Sequence, residues 1–484
     1  MIIDLDVAGA DPFEGVYDLC VCGSGPAGMT VAREAAAAGL RVVLLEAGGF
    51  DLAERSQEIY KATSVGPLTY YGVESCRLRV FGGTSGHWAG RCAILDPLDF
   101  EDRDIWGGLP GWPISHKEAY RRLDDARDIL DIADQSLAPR REPRWRSDRF
   151  ETSGFARSAP TRFGEKFREE LKSAPRLSVA LNANVVSLEL SEDKSAVTAV
   201  EVADWRGRRF KVAARRTVIA FGSLENARFL LNMAALKGAP LGDQGGFVGR
   251  CFMEHFDIVL GRFSAERSPI WLREDALSVT LTPEAAKRRG IGSAVISLQP
   301  NGEPRHYGRL APIRSLINDF QCAVGSSDKR GNICAGDGVA TDIIEQTPNR
   351  DSRVTLDEKS KDRFGHFRIN VDWRLSPQDV KTIAALAEEI GKAIAEQNHG
   401  RFRIADEILA GAPVPGFHCH QMGTTRMSAD PKFGVVDENC RVHGTKNLYI
   451  AGSSVFPTGG GANPTTTVVA LALRLGKHLA GLPR

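Results

Sequence analysis

The stretch Leu19-Cys20-Val21-Cys22-Gly23-Ser24-Gly25-Pro26-Ala27-Gly28, with an alanine-rich run to Ala38 and then Arg41-Val42-Val43-Leu44-Leu45-Glu46, decides the fold class. Four apolar residues predict a short buried strand. The glycines predict a turn, and the run behind them an α-helix that Gly39 ends. A second strand closes on Glu46, giving a βαβ unit of about 30 residues. Gly23 permits the tight turn, Gly25 lets backbone approach a pyrophosphate, and Gly28 lets the helix lie close to the strand. Pro26 and Ala27 open that helix, whose unpaired N–H groups and dipole suit phosphate. Glu46, 18 residues after Gly28, is placed to accept hydrogen bonds from ribose hydroxyls and to repel a 2′-phosphate. A glycine turn without a ligand is the bland alternative, and this motif alone does not divide FAD from NAD.

Composition fits such an α/β enzyme. The 484 residues allow about three units of roughly 150 residues. With 42% hydrophobic and 25% charged residues the chain has the make-up of a globular protein with a sizeable core. Its formal net charge of +1 gives no overall pull toward nucleic acid or an anionic membrane. Nine cysteines are scattered without a C-x-x-C pair, which argues against a disulfide scaffold and a zinc site. Cys20 and Cys22 read as core residues of the first strand. The beginning, Met-Ile-Ile-Asp-Leu-Asp, has neither a basic nor an apolar leader pattern, and no run reaches about 18 uninterrupted apolar residues. The expectation is a cytoplasmic chain without a membrane span.

Further along, residues 139–162 hold seven arginines and three prolines against three acidic residues and read as a solvated irregular loop. Residues 216–220 form another apolar strand before Gly222. Ser376-Pro377-Gln378-Asp379 supplies a helix start, and Ile383, Leu386, Ile390 and Ile394 share one face of a helix stopping near Gly400. Near the end, residues 447–451 make a strand running into Gly452 and Ser453. Asn463 and Pro464 then read as N-cap and first-turn proline of a helix that takes in Thr465 and ends near Leu479. A second glycine-rich strand-to-helix turn so far from the first suits an extended dinucleotide touching both. The late helix N-terminus would then stabilise negative charge on the N1–C2=O edge of a reduced flavin.

Several blocks together resemble the glucose–methanol–choline flavoprotein oxidoreductases. They are the front fingerprint, R-V-F-G-G-T-S-G-H-W-A-G-R-C from Arg79, T-V-I-A-F-G-S-L-E-N-A-R-F-L-L from Thr217, F-V-G-R-C-F-M-E-H from Phe247, H-Q-M-G-T-T-R-M from His420, G-V-V-D from Gly434 and the N-P-T-T-T-V segment from Asn463. The G-G-T-S-G-H-W block is most similar to the pyranose oxidase and sugar dehydrogenase branch. The resemblance implies an α/β protein, with a Rossmann-like FAD-binding domain of the p-hydroxybenzoate-hydroxylase type and a substrate domain on an antiparallel sheet flanked by helices. It divides the chain into FAD-binding parts at residues 1–99, 161–261 and 414–484, an excursion or lid at 100–160, and a substrate domain at 262–413 that supplies most of the pocket. Beyond the front motif it implies FAD contacts at Gly82, Gly83, Thr84, His87, Trp88, Val185, Gly222, Gly452, Ser453, Pro464 and Thr465. A histidine in the position of His87 is covalently bonded to flavin in part of that branch, and non-covalent FAD is the expectation here. Trp88 would stack on a sugar face or be buried.

Oxidising an alcohol removes a proton from oxygen and a hydride from carbon, so a flavin enzyme must supply a base and hold the alcohol. A neutral histidine, with an ordinary pKa of about 6.5, suits the first task. The resemblance assigns the base to His420 and the hydroxyl contact to Asn463. The duller readings are a core histidine and a helix-capping asparagine. His418, two residues away, reads as supporting, because further metal ligands are not found, and His255 reads as structural. The expected activity is oxidation of an alcohol, of a sugar or glycoside by branch. A non-sugar alcohol is the second reading, and a flavin-containing lyase of the same fold the third. The partners implied are a small-molecule substrate and oxygen or another electron acceptor, with a small or haem subunit in some relatives.

Overall fold

The computed structural model describes residues 1–138, 147–264, 277–300, 338–396 and 401–483. Its first layer is a six-stranded parallel sheet in the order Ile2–Asp4, Leu177–Leu181, Val42–Leu45, Leu19–Cys22, Thr217–Ile219, Leu448–Ile450. Every residue of Leu19–Cys22 and Val42–Leu45 is buried, as a parallel sheet covered on both faces requires. Leu19, Val43 and Leu44 are wholly shielded from water, each contributing about 1.5–3 kcal/mol of transfer free energy. The helix Pro26–Ala37 packs against the last helix, Thr465–Gly481. The approach is close: a Cβ on Gly476 would stand 2.7 Å from Glu34 Cβ.

The chain leaves Leu19–Cys22 toward Val42–Leu45 on one side, and Thr217–Ile219 lies on the other. That reversal puts a crevice at the C-terminal ends of the strands, where open α/β sheets bind ligands. Gly23, Gly222 and Gly452, all at positive φ (+107°, +92° and +119°), begin the three turns that open there. Asn226 joins the last two turns. Its Oδ1 accepts Phe221 N–H at 2.8 Å, and its Nδ2 donates to Ser454 Oγ at 2.9 Å and Ala451 O at 3.2 Å.

The second layer is antiparallel, in the order Arg401–Ile404, Gly261–Ser264, Gly338–Glu345, Ala294–Pro300, Leu277–Leu281, Phe150–Thr152, with His255–Asp257 linking Gly338–Glu345 to Gly416–Phe417. The helix Pro377–Glu396 covers it with the predicted face: Ile383, Leu386, Ile390 and Ile394 share a core with Phe263, Val279 and Ile296. Ser376 and Asp379 form reciprocal cap bonds of 2.7 and 3.1 Å. The expected helix end near Gly400 lies outside the described residues, as do residues 139–146, 265–276 and 301–337, which include much of the stretch expected to form the substrate pocket.

One expectation is corrected. The described part of the basic stretch is not a solvated loop: Phe150–Thr152 joins the antiparallel sheet. Arg149 pairs with Glu389 at 2.8 Å and Glu396 at 2.5 Å, and Arg162 Nη1 donates to the carbonyls of Ser85 and Trp88. Arg149 and Arg162 are thus spent on partners that no local charge count reveals. Cys76 and Cys419, 343 residues apart, form a disulfide, a pairing beyond the reach of local spacing. Among the described residues no helix is long and apolar enough to cross a membrane.

Candidate active site

A cleft enclosing about 1510 Å³, counting its open mouth, runs along the crevice from Glu46 to His420. Gly23, Gly25, Pro26, Ala27 and Glu46 line it, as does Val185. Glu46 is buried and ties the fingerprint together: Oε2 accepts from Ser24 Oγ at 2.6 Å and Ser24 N–H at 3.1 Å, and Oε1 from Gly48 N–H at 2.7 Å. The glycines divide their work. A Cβ on Gly28 would stand 1.9 Å from Gly23 O, so Gly28 serves packing and does not line the cleft. A Cβ on Gly25 would meet no protein atom within 4 Å, leaving the approach to the helix N-terminus open.

The middle of the cleft is lined by Gly83, Thr84, Gly222, Gly452 and Ser453. Gly82 N–H donates to Ser24 Oγ at 3.0 Å, and a Cβ on Gly83 would come within 2.9 Å of Gly25 Cα. The Arg79–Cys92 loop is thereby pressed onto the front turn. Three predicted contacts of this loop stand apart from the lining: Gly82 is buried against the front turn, His87 is exposed, and Trp88 is half-buried with its indole N–H donated to Thr161 O at 2.8 Å.

At the far end lie Pro464, Thr465, His420 and Gln421. The segment carrying His420 is held on both sides. Met422 and Met253 exchange backbone hydrogen bonds of 2.9 and 3.0 Å, and Gly423, Thr425 and Met427 donate N–H groups to Ser453, Ser454 and Val455. The last helix begins at Thr465 with no side-chain cap. Asn463 therefore does not act as the expected N-cap. Its Nδ2 lies 3.2 Å from His420 Nε2, and its Oδ1 is buried with no partner. His418 stacks on His420, ring centroids 5.6 Å apart.

Three residues outside the predicted site complete it: His255, which the sequence reading took as structural, and Glu254 and Arg79, which it left without a role. His255, fully buried, places Nδ1 2.8 Å from His420 Nδ1 and Nε2 2.8 Å from Gly460 O. Glu254 Oε2 accepts the backbone N–H of His420 at 2.8 Å and of His255 at 3.2 Å, and its Oε1 accepts the Tyr70 hydroxyl. Arg79 lines the cleft with two neutral partners, Ser56 Oγ at 3.1 Å and Asn184 Oδ1 at 2.9 Å. The adjacent Met-Glu-His letters were the available signal for the first two.

Burial governs the titrations. It holds His420 well below the usual imidazole range, helped by the neighbouring His255, His418 and Arg91. It lowers His255 to about 4 and raises Glu254 to about 8, against the pull of the Tyr70 hydroxyl and backbone N–H groups. A buried neutral imidazole beside a protonated carboxyl is a competent proton acceptor near neutrality.

These residues fit a dinucleotide flavin: a glycine cradle that a Cβ at Gly25 would fill, two uncapped helix N-termini on one cleft, and an orphaned amide oxygen at the far end. The cleft thus joins a dinucleotide cradle at one end to a histidine–asparagine pair at the other. Residues 348–472 match the GMC oxidoreductase family model. A 2-methyl-1,2-propanediol dehydrogenase of Mycolicibacterium austroafricanum is 25% identical across 96% of this chain and 95% of its own. A C-glycoside 3-oxidase of Microbacterium trichothecenolyticum is 30% identical across 60% of this chain, which spans about half (53%) of that relative. Pyridoxine 4-oxidase from Mesorbium loti shares the fold, with a TM-score of 0.59 at 16% identity, covering 97% of this chain and 100% of its own. The matched segment, residues 348–472, carries both His420 and Asn463, and the relatives and solved structures the chain resembles are flavoenzymes that bind FAD.

Proposed function

We propose that this enzyme oxidises a hydroxyl group of a sugar or glycoside to a carbonyl, with His420 as base and Asn463 as hydroxyl ligand. The observation that carries the chemistry is the His420–Asn463 pair at the end of the cleft, with an acceptor nitrogen and an amide donor 3.2 Å apart. A substrate hydroxyl seated beside the pair would donate its proton to His420 Nε2 while its oxygen accepts from Asn463 Nδ2. As His420 takes that proton, Asn463 holds the developing alkoxide in place. Bound FAD supplies the acceptor for the hydride leaving carbon. Gly23, Gly25, Pro26, Ala27, Glu46 and Val185 hold its adenosine and pyrophosphate. Gly83, Thr84, Gly222, Gly452, Ser453, Pro464 and Thr465 would hold its ring portion, with the exposed His87 forming no covalent link. The substrate class draws support from the C-glycoside 3-oxidase and from a fructose dehydrogenase large subunit of Gluconobacter japonicus, 26% identical across 62% of this chain.

Anaerobic mixing of the holoenzyme with free sugars and glycosides tests the reading. Bleaching of the flavin band by a member of the panel is the expected result. A flavin bleached by dithionite but by no sugar overturns the substrate class. The second reading, a small non-sugar alcohol, rests on the near full-length match to the propanediol dehydrogenase, so 1,2-diols belong in the same panel.

A further inference from the structure

We propose that His255 is a positioning residue that fixes the tautomer of His420, keeping Nε2 bare, with the Gly460 carbonyl as the reference acceptor. The proposal deepens the reading of His420 as base and rests on it for its catalytic consequence.

Gly460 is locked from two sides. Its N–H donates to Glu345 Oε1 at 3.0 Å. At φ +57° it leaves no room for a side chain, since a Cβ would stand 2.5 Å from Asp99 Oδ2. Its carbonyl therefore has a set direction, and a carbonyl only accepts. His255 Nε2, 2.8 Å away, must carry the hydrogen. The ring is buried and neutral, so its Nδ1 keeps a lone pair. Two imidazole nitrogens 2.8 Å apart share one hydrogen. With His255 Nδ1 accepting, that hydrogen sits on His420 Nδ1. A neutral His420 then has a bare Nε2, the nitrogen that faces the Asn463 amide.

The backbone is arranged to hold this relay. Glu254 Oε2 clamps the N–H groups of both histidines, and the two rings meet edge to face with centroids 5.0 Å apart. The opposite tautomer would present N–H to the substrate hydroxyl and have no site for its proton. Besides Glu254, the charged or titratable groups around the relay are His418, Arg91, Tyr70, and Glu345 and Asp99 behind Gly460.

The direct test is nitrogen NMR of the FAD-bound enzyme labelled in histidine, with His420 assigned by its loss in His420→Gln. The expected spectrum has a protonated Nδ1 and an unprotonated Nε2 at His420 in the wild type at neutral pH. A protonated Nε2 there overturns the proposal, whatever the variants do. His255→Phe keeps ring volume without an acceptor, and His255→Asn restores a side-chain oxygen. His255→Phe should slow flavin reduction by substrate about 100-fold, the scale of one general-base contribution. Its KM and FAD content should hold, and His255→Asn should recover most of the loss. An unchanged rate in His255→Phe overturns the proposal. If the tautomer is as stated but His420→Gln still oxidises alcohols normally, the assignment of the base fails and the tautomer relay stands.

Discussion

Asn463 Nδ2 lies 3.2 Å from His420 Nε2, while Asn463 Oδ1 is buried and unpaired. An amide whose Nδ2 faces His420 and whose Oδ1 is left open contributes nothing to capping the helix behind it.

Removing the base should therefore separate chemistry from binding. His420→Ala is expected to lower the rate of flavin reduction by alcohol about 10²–10⁴-fold. Asn463→Ala should cost about 10–100-fold, with both variants retaining FAD. Stopped-flow reduction under anaerobic conditions measures both. In the wild type, burial holds His420 below its ordinary pKa, so the rate should stay flat down through pH 6.5 and fall only in more acid solution. An acid limb centred at 6.5 or above would count against His420 as the base.

The two neighbouring glycines of the front turn should fail differently. Gly25→Ala places a methyl in open cleft at φ −62°. The melting temperature without FAD should barely move, while FAD affinity drops at least about tenfold, one lost hydrogen bond or contact in scale. Gly28→Ala drives a carbon against Gly23 O and should lose about 1–3 kcal/mol of stability even without FAD. Flavin titration and thermal melting of the apo-protein distinguish the cases. Equal behaviour of the two variants would contradict the division of roles.

Much of this was legible because it is local. The first βαβ unit shows in the run from Leu19 to Glu46, and the helix behind Ser376 in its cap and apolar face, since propensity and periodicity act over a few residues. Asn463 misled at the same scale: Asn-Pro before a helical run is a capping signal, and only the proximity of His420, 43 residues earlier, turns the amide away. The Cys76–Cys419 pairing, the strand at Phe150–Thr152 and the contact of His255 with His420 join segments more than 100 residues apart. No single-chain pattern carries that information, and tertiary contacts override local preference there.

The cleft wall holds a buried ionic cluster whose loss should be felt in stability. Glu225 pairs with Arg77 at 2.8 Å and Arg228 at 2.9 Å, and Arg228 also pairs with Asp362. Both arginines and Glu225 are nearly excluded from water. Glu225→Gln leaves two buried cations short of one counter-charge, which should cost about 3–5 kcal/mol. Urea denaturation midpoints report it, and a loss below about 0.5 kcal/mol, the usual scale of a surface substitution, would mean the cluster is solvated.

Stability should fall as pH rises from 6.5 to 8, with Glu254 the cause. Burial raises the Glu254 pKa from 4.5 to about 8, so between those values the folded chain holds a proton that the unfolded chain has lost. Stability then decreases with rising pH across that window. His255 acts oppositely but earlier: its folded value of about 4 lies below the ordinary 6.5. Its contribution is complete above pH 6.5 and is lost as pH falls toward 4. The two effects oppose one another from 4.5 to 6.5, and above 6.5 the Glu254 effect stands without that opposition. At 1.36 kcal/mol per pH unit, the decline it contributes from 6.5 to 8 is about 2 kcal/mol. Glu254→Gln has no proton to lose and should flatten that part of the curve relative to the wild type. Denaturant midpoints at pH 6.5 and 8 for both proteins decide it, and parallel declines would place the titrating group elsewhere.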